Sequence, residues 1–208
     1  MKVLVIGATG GTGRHVVRRL LEGGDWVRAF ARNPVDLEVT HARLEVLQGD
    51  ARDGTAVDRA VLGVDAVIVA FGPRSTKRGD IQEALARNLV AAMRARGVKR
   101  LINLSAAGAG DSARTSGWMI SLVRHTLYRH VYADKDRGEA ILLGADLDYV
   151  NVRPAQVLDG PARGPVRASL DRREVDGKVT RDDLAGFMIE QLRSDRWLGT
   201  SPFVGSST

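Results

Sequence analysis

A chain of 208 residues, 44% hydrophobic and 27% charged, is large enough for one sizeable globular domain that buries about 70% of its unfolded surface. Its net charge of +6 comes from arginines scattered along the whole chain and only five lysines (Lys2, Lys77, Lys99, Lys135, Lys178), without the basic stripe and stacking aromatics of a nucleic-acid binder. With no cysteine there are no disulfides, thiolate nucleophiles or cysteine-held metals, and no run of eighteen apolar residues exists to span a membrane. Glycines interrupt the apolar run in MKVLVIGATGG, which excludes a signal peptide there, so a cytoplasmic protein is expected.

The elements alternate from the first residue. Apolar runs at 2–6, 26–30, 44–48, 65–70, 100–105 and 147–152 predict six strands. Between them, Val16, Val17, Leu20 and Leu21 make one helical stripe, stopped by Gly23 and Gly24, and Ile81, Ala84, Leu85, Leu89 and Ala92 make another, ending near Gly97. Strand and helix in this rhythm mean βαβ units, a parallel sheet and helices on both faces. The prolines and glycines of RPAQVLDGPARGP (153–165) break the rhythm. Beyond them one clear helix is expected, capped by Thr180 with Asp183 completing a capping box, and carrying Leu184, Phe187, Met188, Gln191 and Leu192 on one face. The expected organisation is a single domain over 1–208 whose residues from about 153 form a small C-terminal cap.

The stretch IGATGGTG places Gly7, Gly10 and Gly13 between the first strand and the first helix. Gly7 permits a tight turn, Gly10 lets backbone amides approach a pyrophosphate, and Gly13 lets the helix pack closely, its N-terminus supplying partial positive charge. Arg14 follows where a Walker loop would carry Lys-Ser/Thr. An NAD-binding version wants an acid about twenty residues further on, against the adenosine ribose. Here WVRAFARNP offers Ala31 and Arg32 instead. A guanidinium at that point can pair with a 2′-phosphate, which favours NADP(H) over NAD(H); otherwise Arg32 is a solvated loop residue. Asp50, ending LEVLQGD, either accepts from an adenine amino group or caps the helix of DGTAVDRAV.

Together, GATGGTG, FARNP, LQGDARD, VKRLINLSA, LDYVNVRPA and VTRDDLAGFMIEQL resemble the atypical short-chain dehydrogenase/reductases. The likeness is to the NAD(P)H-binding group around biliverdin IXβ reductase/flavin reductase and the NmrA-like proteins, and it covers nearly the whole chain in order. It implies a Rossmann-type, doubly wound α/β fold. It also implies cofactor contacts from Gly7, Thr9, Gly10, Gly11, Thr12, Gly13, Arg32, Asp50 and Ala51. Ala70, Phe71 and Gly72 would follow after the fourth strand and Ser105 and Ala106 after the fifth, with Pro154 and Ala155 beside the nicotinamide. The group holds flavin and quinone reductases as well as non-catalytic nucleotide sensors.

In the well-known short-chain dehydrogenases a tyrosine hydroxyl protonates the carbonyl and a lysine four residues on lowers its pKa. Four residues turn a helix by about 400°, which keeps both on one face. In HVYADKDRGEAILL, Tyr132 and Lys135 are three apart. Three residues turn about 300°, so Lys135 falls about 100° from the required azimuth. Tyr128 is seven residues from Lys135 and roughly 10 Å away along the axis, and Val131 stands four before it. The carbonyl-reducing dyad is therefore expected to be missing, with Tyr132 packed against the sheet. Lys135 either reaches the nicotinamide ribose, as the resemblance implies, or is an exposed helix lysine. Asp134, Lys135, Asp136, Arg137 and Glu139 read as a solvated face.

Chemistry without a built-in acid suits such a site. Hydride transfer to a flavin or quinone builds charge that the acceptor spreads over its own rings. Ser105, at the carboxyl end of the fifth strand, either orients the acceptor or simply ends the strand. The loop 106–118 has the composition of a lid, and Trp118, Met119 and Tyr128 either wall a planar acceptor or belong to a buried helix. Asn88 reads as a buried scaffold amide. His125 and His130 are five apart and off one face, so no metal constellation forms, and Ser105 lacks a GxSxG elbow. The expected protein is an NADPH-dependent reductase of a small conjugated acceptor. The alternatives are an NADP(H)-binding redox sensor with a protein partner, and a biosynthetic ketoreductase or epimerase.

Overall fold

A computed structural model of the protein describes residues 1–72, 79–114, 122, 124–126 and 128–206. The six expected strands form: β1 (Lys2–Ile6), β2 (Trp26–Ala31), β3 (Leu44–Gln48), β4 (Ala66–Val69), β5 (Arg100–Leu104) and β6 (Asp148–Pro154). All pair in parallel, Val3 aligning with Val27 on one side and Ala66 on the other. Every residue of β4 is buried, as a strand covered on both faces requires.

The helices are α1 (Gly11–Glu22), α2 (Gly54–Val61), α3 (Ile81–Arg96), α4 (Arg129–Leu143) and α5 (Arg181–Glu190). The stripe Val16, Val17, Leu20 and Leu21 of α1 packs with Leu184, Phe187 and Met188 of α5 over Val3 and Val5. On the opposite face, Val57 of α2, Leu85 and Leu89 of α3 and Leu142 of α4 cover Leu4 and Ile6. This is a Rossmann-type doubly wound fold. Among the described residues, no helix is long and apolar enough to cross a membrane.

The C-terminal segment departs from the expected cap. Three short strands, β7 (Gln156–Leu158), β8 (Val166–Ser169) and β9 (Lys178–Thr180), precede α5, and β10 (Phe203–Ser206) follows it. The central sheet runs β3-β2-β1-β4-β5-β6-β10-β8, with β10 parallel to β6 and antiparallel to β8, while β7 and β9 pair separately. Residues after 153 thus extend the sheet past β6. Unlike the wholly apolar β4, these strands of three or four residues mix polar and apolar positions too briefly to show a pattern, which hid them from sequence reading. Thr180 caps α5 as expected, its Oγ accepting the Asp183 N–H at 3.1 Å. The capping box is not reciprocal, because the Asp183 carboxylate accepts the Thr180 hydroxyl (2.7 Å) and the Arg163 N–H (2.8 Å).

The larger correction concerns α4. Asp134, Lys135 and Glu139 are buried, not solvated; only Asp136 and Arg137 of that group reach water. The cause is close packing against α3. Gly138 brings the two helices so near that a Cβ there would lie 2.8 Å from the Gln82 carbonyl oxygen. Asp134 then accepts the N–H groups of Gln82 (3.0 Å) and Glu83 (3.2 Å), capping α3 from the neighbouring helix.

One ion cluster joins α1 to α5. Arg19 grips Asp182 through Nε and Nη2 at 2.8 and 2.7 Å, while Arg18 and His15 approach at 2.7 and 3.1 Å. The hydrogen bonds from Arg19 outweigh burial and hold this carboxyl well below its ordinary range. A carboxylate depressed in the folded state contributes stability above its unfolded pKa of about 3.9, and loses it as pH falls through the folded value. Asp182→Asn should therefore lower Tm by a few degrees at pH 7. The gap to the parent protein should close as pH falls below about 3, in thermal melts across pH.

Candidate cofactor cleft

The site begins with the turn after β1. Gly7 adopts φ +82°, and a Cβ on it would lie 2.9 Å from the Ala70 carbonyl oxygen, so only glycine fits between β1 and β4. Its N–H donates to the Phe30 carbonyl at 3.2 Å, and Gly10 N–H returns to the Gly7 carbonyl at 2.9 Å. The Gly13 position abuts Gly7, leaving no room for a side chain. Helix α1 follows with no side-chain cap and no acid in its first turn. Its first N–H groups suit an anion.

A cleft of about 260 Å³ opens above this turn. Of the residues expected at a cofactor, Gly7, Thr9 and Gly10 line it from the turn, Arg32 from the end of β2 and Ala51 from the end of β3. Ala70, Phe71 and Gly72 line it from the end of β4. Gly11, Thr12 and Gly13 begin α1 and are not on its wall, the last two being buried. A Cβ at Gly11 would lie 2.8 Å from the Arg181 guanidinium, which covers that position from the start of α5. Arg32 is exposed, and its carbonyl accepts Gln48 Nε2 at 3.0 Å, which anchors the turn that carries it. Among the described residues its guanidinium forms no ion pair. Asp50 stays off the wall; its carboxylate accepts the Arg52 N–H at 2.9 Å. It is Asp53, not Asp50, that caps α2, accepting Thr55 N–H (2.9 Å) and Ala56 N–H (3.3 Å). Asn88 is half-buried and donates to the Ala51 carbonyl at 3.0 Å, a scaffold role for the loop after β3.

The residues expected at the nicotinamide end are arranged differently. Ser105 and Lys135 are buried and do not line the cleft, nor do Ala106, Pro154 or Ala155. The Ser105 hydroxyl donates to Glu139 Oε1, and Arg153 Nη2 donates to Glu139 Oε2 at 2.8 Å and meets Asp111 at 2.6 Å. Lys135 donates to the Leu104 carbonyl at 3.3 Å, and burial pushes its pKa down although Glu139 and Asp134 oppose the shift. It is not an exposed helix lysine. The Tyr132 hydroxyl donates to the Ala107 carbonyl at 3.2 Å, with its ring under Arg124 and its pKa raised by burial. Val131, four before Lys135, lines the cleft. Tyr132 and Lys135 thus donate to different backbone carbonyls.

The described part of the loop after β5 is pinned rather than free. Gly110 N–H donates to Asp136 at 2.7 Å, and Arg124 bridges Asp136 and the Gly108 carbonyl. Trp118 and Met119 lie outside the described residues, and Tyr128 is exposed just before α4. Sequence reading missed Arg52, Ile81, Gln82, His130 and Asp134 on the wall. Arg52 comes from the turn after β3, next to Ala51, and the other four from the opening turns of α3 and α4, which only the tertiary packing brings beside the glycine turn. Among the described residues no cluster of potential metal ligands occurs.

A parallel sheet of this order, with a glycine turn feeding an uncapped helix below an open cleft, defines a dinucleotide-binding Rossmann protein. The chain belongs to the NAD(P)H-binding family, which it matches over residues 7–195. It is 42% identical over 103 residues to the (4-alkanoyl-5-oxo-2,5-dihydrofuran-3-yl)methyl phosphate reductase of Streptomyces griseus, a match covering 50% of this chain and 34% of that enzyme. The chain thus spans about a third of that curated relative's length. Among solved structures, an oxidoreductase from Lactococcus lactis superposes with a TM-score of 0.84 at 21% identity, covering 100% of this chain and 92% of that one. The anaerobillin reductase ChuY from Escherichia coli O157:H7 does so with 0.81 at 23% identity, covering 99% and 97%. These two likenesses establish the fold.

Proposed function

We propose that the protein is an NADPH-dependent reductase that passes a hydride to a flavin, a quinone or a similar conjugated acceptor. The observation that carries the reading is where the site's protons go. The Tyr132 hydroxyl donates a hydrogen bond to the Ala107 carbonyl, the Ser105 hydroxyl to Glu139 and Lys135 Nζ to the Leu104 carbonyl, while an apolar Val131 faces the cleft. A conjugated acceptor spreads the arriving charge over its own rings and takes its proton from solvent, so the protein need only orient the two partners and exclude competing reactions. Arg32 and the missing acid after β2 support NADPH over NADH. The reductase names of the Streptomyces relative and the E. coli neighbour support the reductive direction.

The test is turnover of substituted proteins on a quinone. Tyr132→Phe should stay within about twofold of the parent, because it removes only a hydrogen bond worth about 1 kcal/mol to the loop. His130 lines the cleft with its ring nitrogen 3.2 Å from Arg129 Nε, and His130→Gln should likewise stay within about twofold if solvent supplies the proton. A loss beyond a hundredfold in either variant would point instead to a built-in acid and to carbonyl reduction. One observation favours a second reading, a sensor that binds NADP(H) and regulates a protein partner: Ser105 and Lys135 are committed inward rather than to the cleft.

A further inference from the structure

We infer that Arg52 is a binding residue of the cleft, closing over the face of an adenine ring without reading phosphate. The inference rests on the NADP reading above. Arg52 follows Ala51 in the turn after β3 and lines the cleft beside an apolar wall that includes Phe30, Ala31, Ala70, Phe71 and Ile81. Its Nε donates to Asp80 at 2.9 Å, and its Nη1 lies 3.7 Å from Asp50. Asp80 sits between Gly79 and Ile81, both on the wall, so the ion pair ties two wall segments together from different strand ends.

A guanidinium held in this way has its charge already balanced by carboxylates. What remains for a ligand is its flat face, which stacks on aromatic rings. An apolar slot with a fixed planar cation on its wall fits a purine better than a sugar phosphate. Arg32 is the complement: it lines the same cleft, is exposed and forms no ion pair among the described residues. The two arginines thereby divide adenosine recognition, Arg52 taking the base and Arg32 the 2′-phosphate.

Two nucleotides separate these roles, 5′-AMP and adenosine 2′,5′-bisphosphate, titrated calorimetrically into the parent protein, Arg52→Ala, Arg52→Lys and Arg32→Ala. Arg52→Ala should weaken both nucleotides by the same factor, roughly three- to tenfold, and Arg52→Lys should recover little because it restores charge without the plane. Arg32→Ala should weaken the bisphosphate alone. Folding should not confound the comparison, since the Arg52–Asp80 pair is solvent-exposed and such pairs contribute little stability, as matching melts would show. Unchanged AMP affinity in Arg52→Ala, or a loss confined to the bisphosphate, would overturn the assignment. A parent protein that binds neither nucleotide would overturn the NADP reading and the Arg52 assignment together, a different outcome from failure of Arg52 alone.

Discussion

Arg32→Ala should raise the KM for NADPH roughly 10- to 100-fold and leave that for NADH within about twofold. The size follows from the charge-assisted hydrogen bonds a guanidinium makes to a phosphate, about 1.5–3 kcal/mol, and each 1.4 kcal/mol is a factor of ten. Selectivity follows because NADH lacks the 2′-phosphate. Arg32 is suited to the role by position: it follows β2, its backbone is anchored through Gln48, and no neighbouring carboxylate among the described residues draws its side chain away. Arg32→Lys should retain part of the preference, since a lysine keeps the charge but not the fork. Equal losses for both cofactors in initial-rate kinetics would mean that Arg32 acts on something the two share.

The second large effect is on stability. Glu139→Ala should destabilise the fold by about 3–5 kcal/mol, which for a chain of this size lowers Tm by roughly 10 °C. Glu139 and Arg153 each expose only 2% of their side chains, and Glu139 also accepts the Ser105 hydroxyl and faces the buried Lys135. Among the described residues, removing the carboxylate leaves Arg153 buried with one acidic partner, the exposed Asp111, and its Nε is already without a hydrogen bond there. Replacing both charges by apolar groups removes the uncompensated charge, so Glu139→Met with Arg153→Met should recover at least half of the loss. A single substitution that costs less than about 1 kcal/mol in denaturant unfolding would show that water reaches the cluster.

How far the sequence foretold this protein depended on the length over which each pattern runs. Six strands and the helices between them were legible because each carries an apolar run or a helical stripe, and the glycine turn because its spacing has a steric cause at Gly7 and Gly13. The short strands β7 to β10 carry no period, and β10 joins the sheet only because the chain returns beside β6. On α4, the run DKDRGE reads as a charged surface. Burial of Asp134, Lys135 and Glu139 depends on Gly138 and on the approach of α3, which no local pattern encodes. The three-residue spacing of Tyr132 and Lys135 was legible, because helix geometry alone decides which pairs share a face. His130 reaches the cleft wall through tertiary packing of a distant segment, whereas Arg52 follows Ala51 in the turn after β3, where no local pattern says which side chain faces the cleft.

The most direct test is NADPH oxidation by the purified protein on addition of a small panel of flavins and quinones, with NADH alongside. The reductase reading predicts acceptor-dependent turnover that prefers NADPH. Absence of turnover with every acceptor, in a sample shown to bind NADPH, would contradict it and turn the search toward a protein partner.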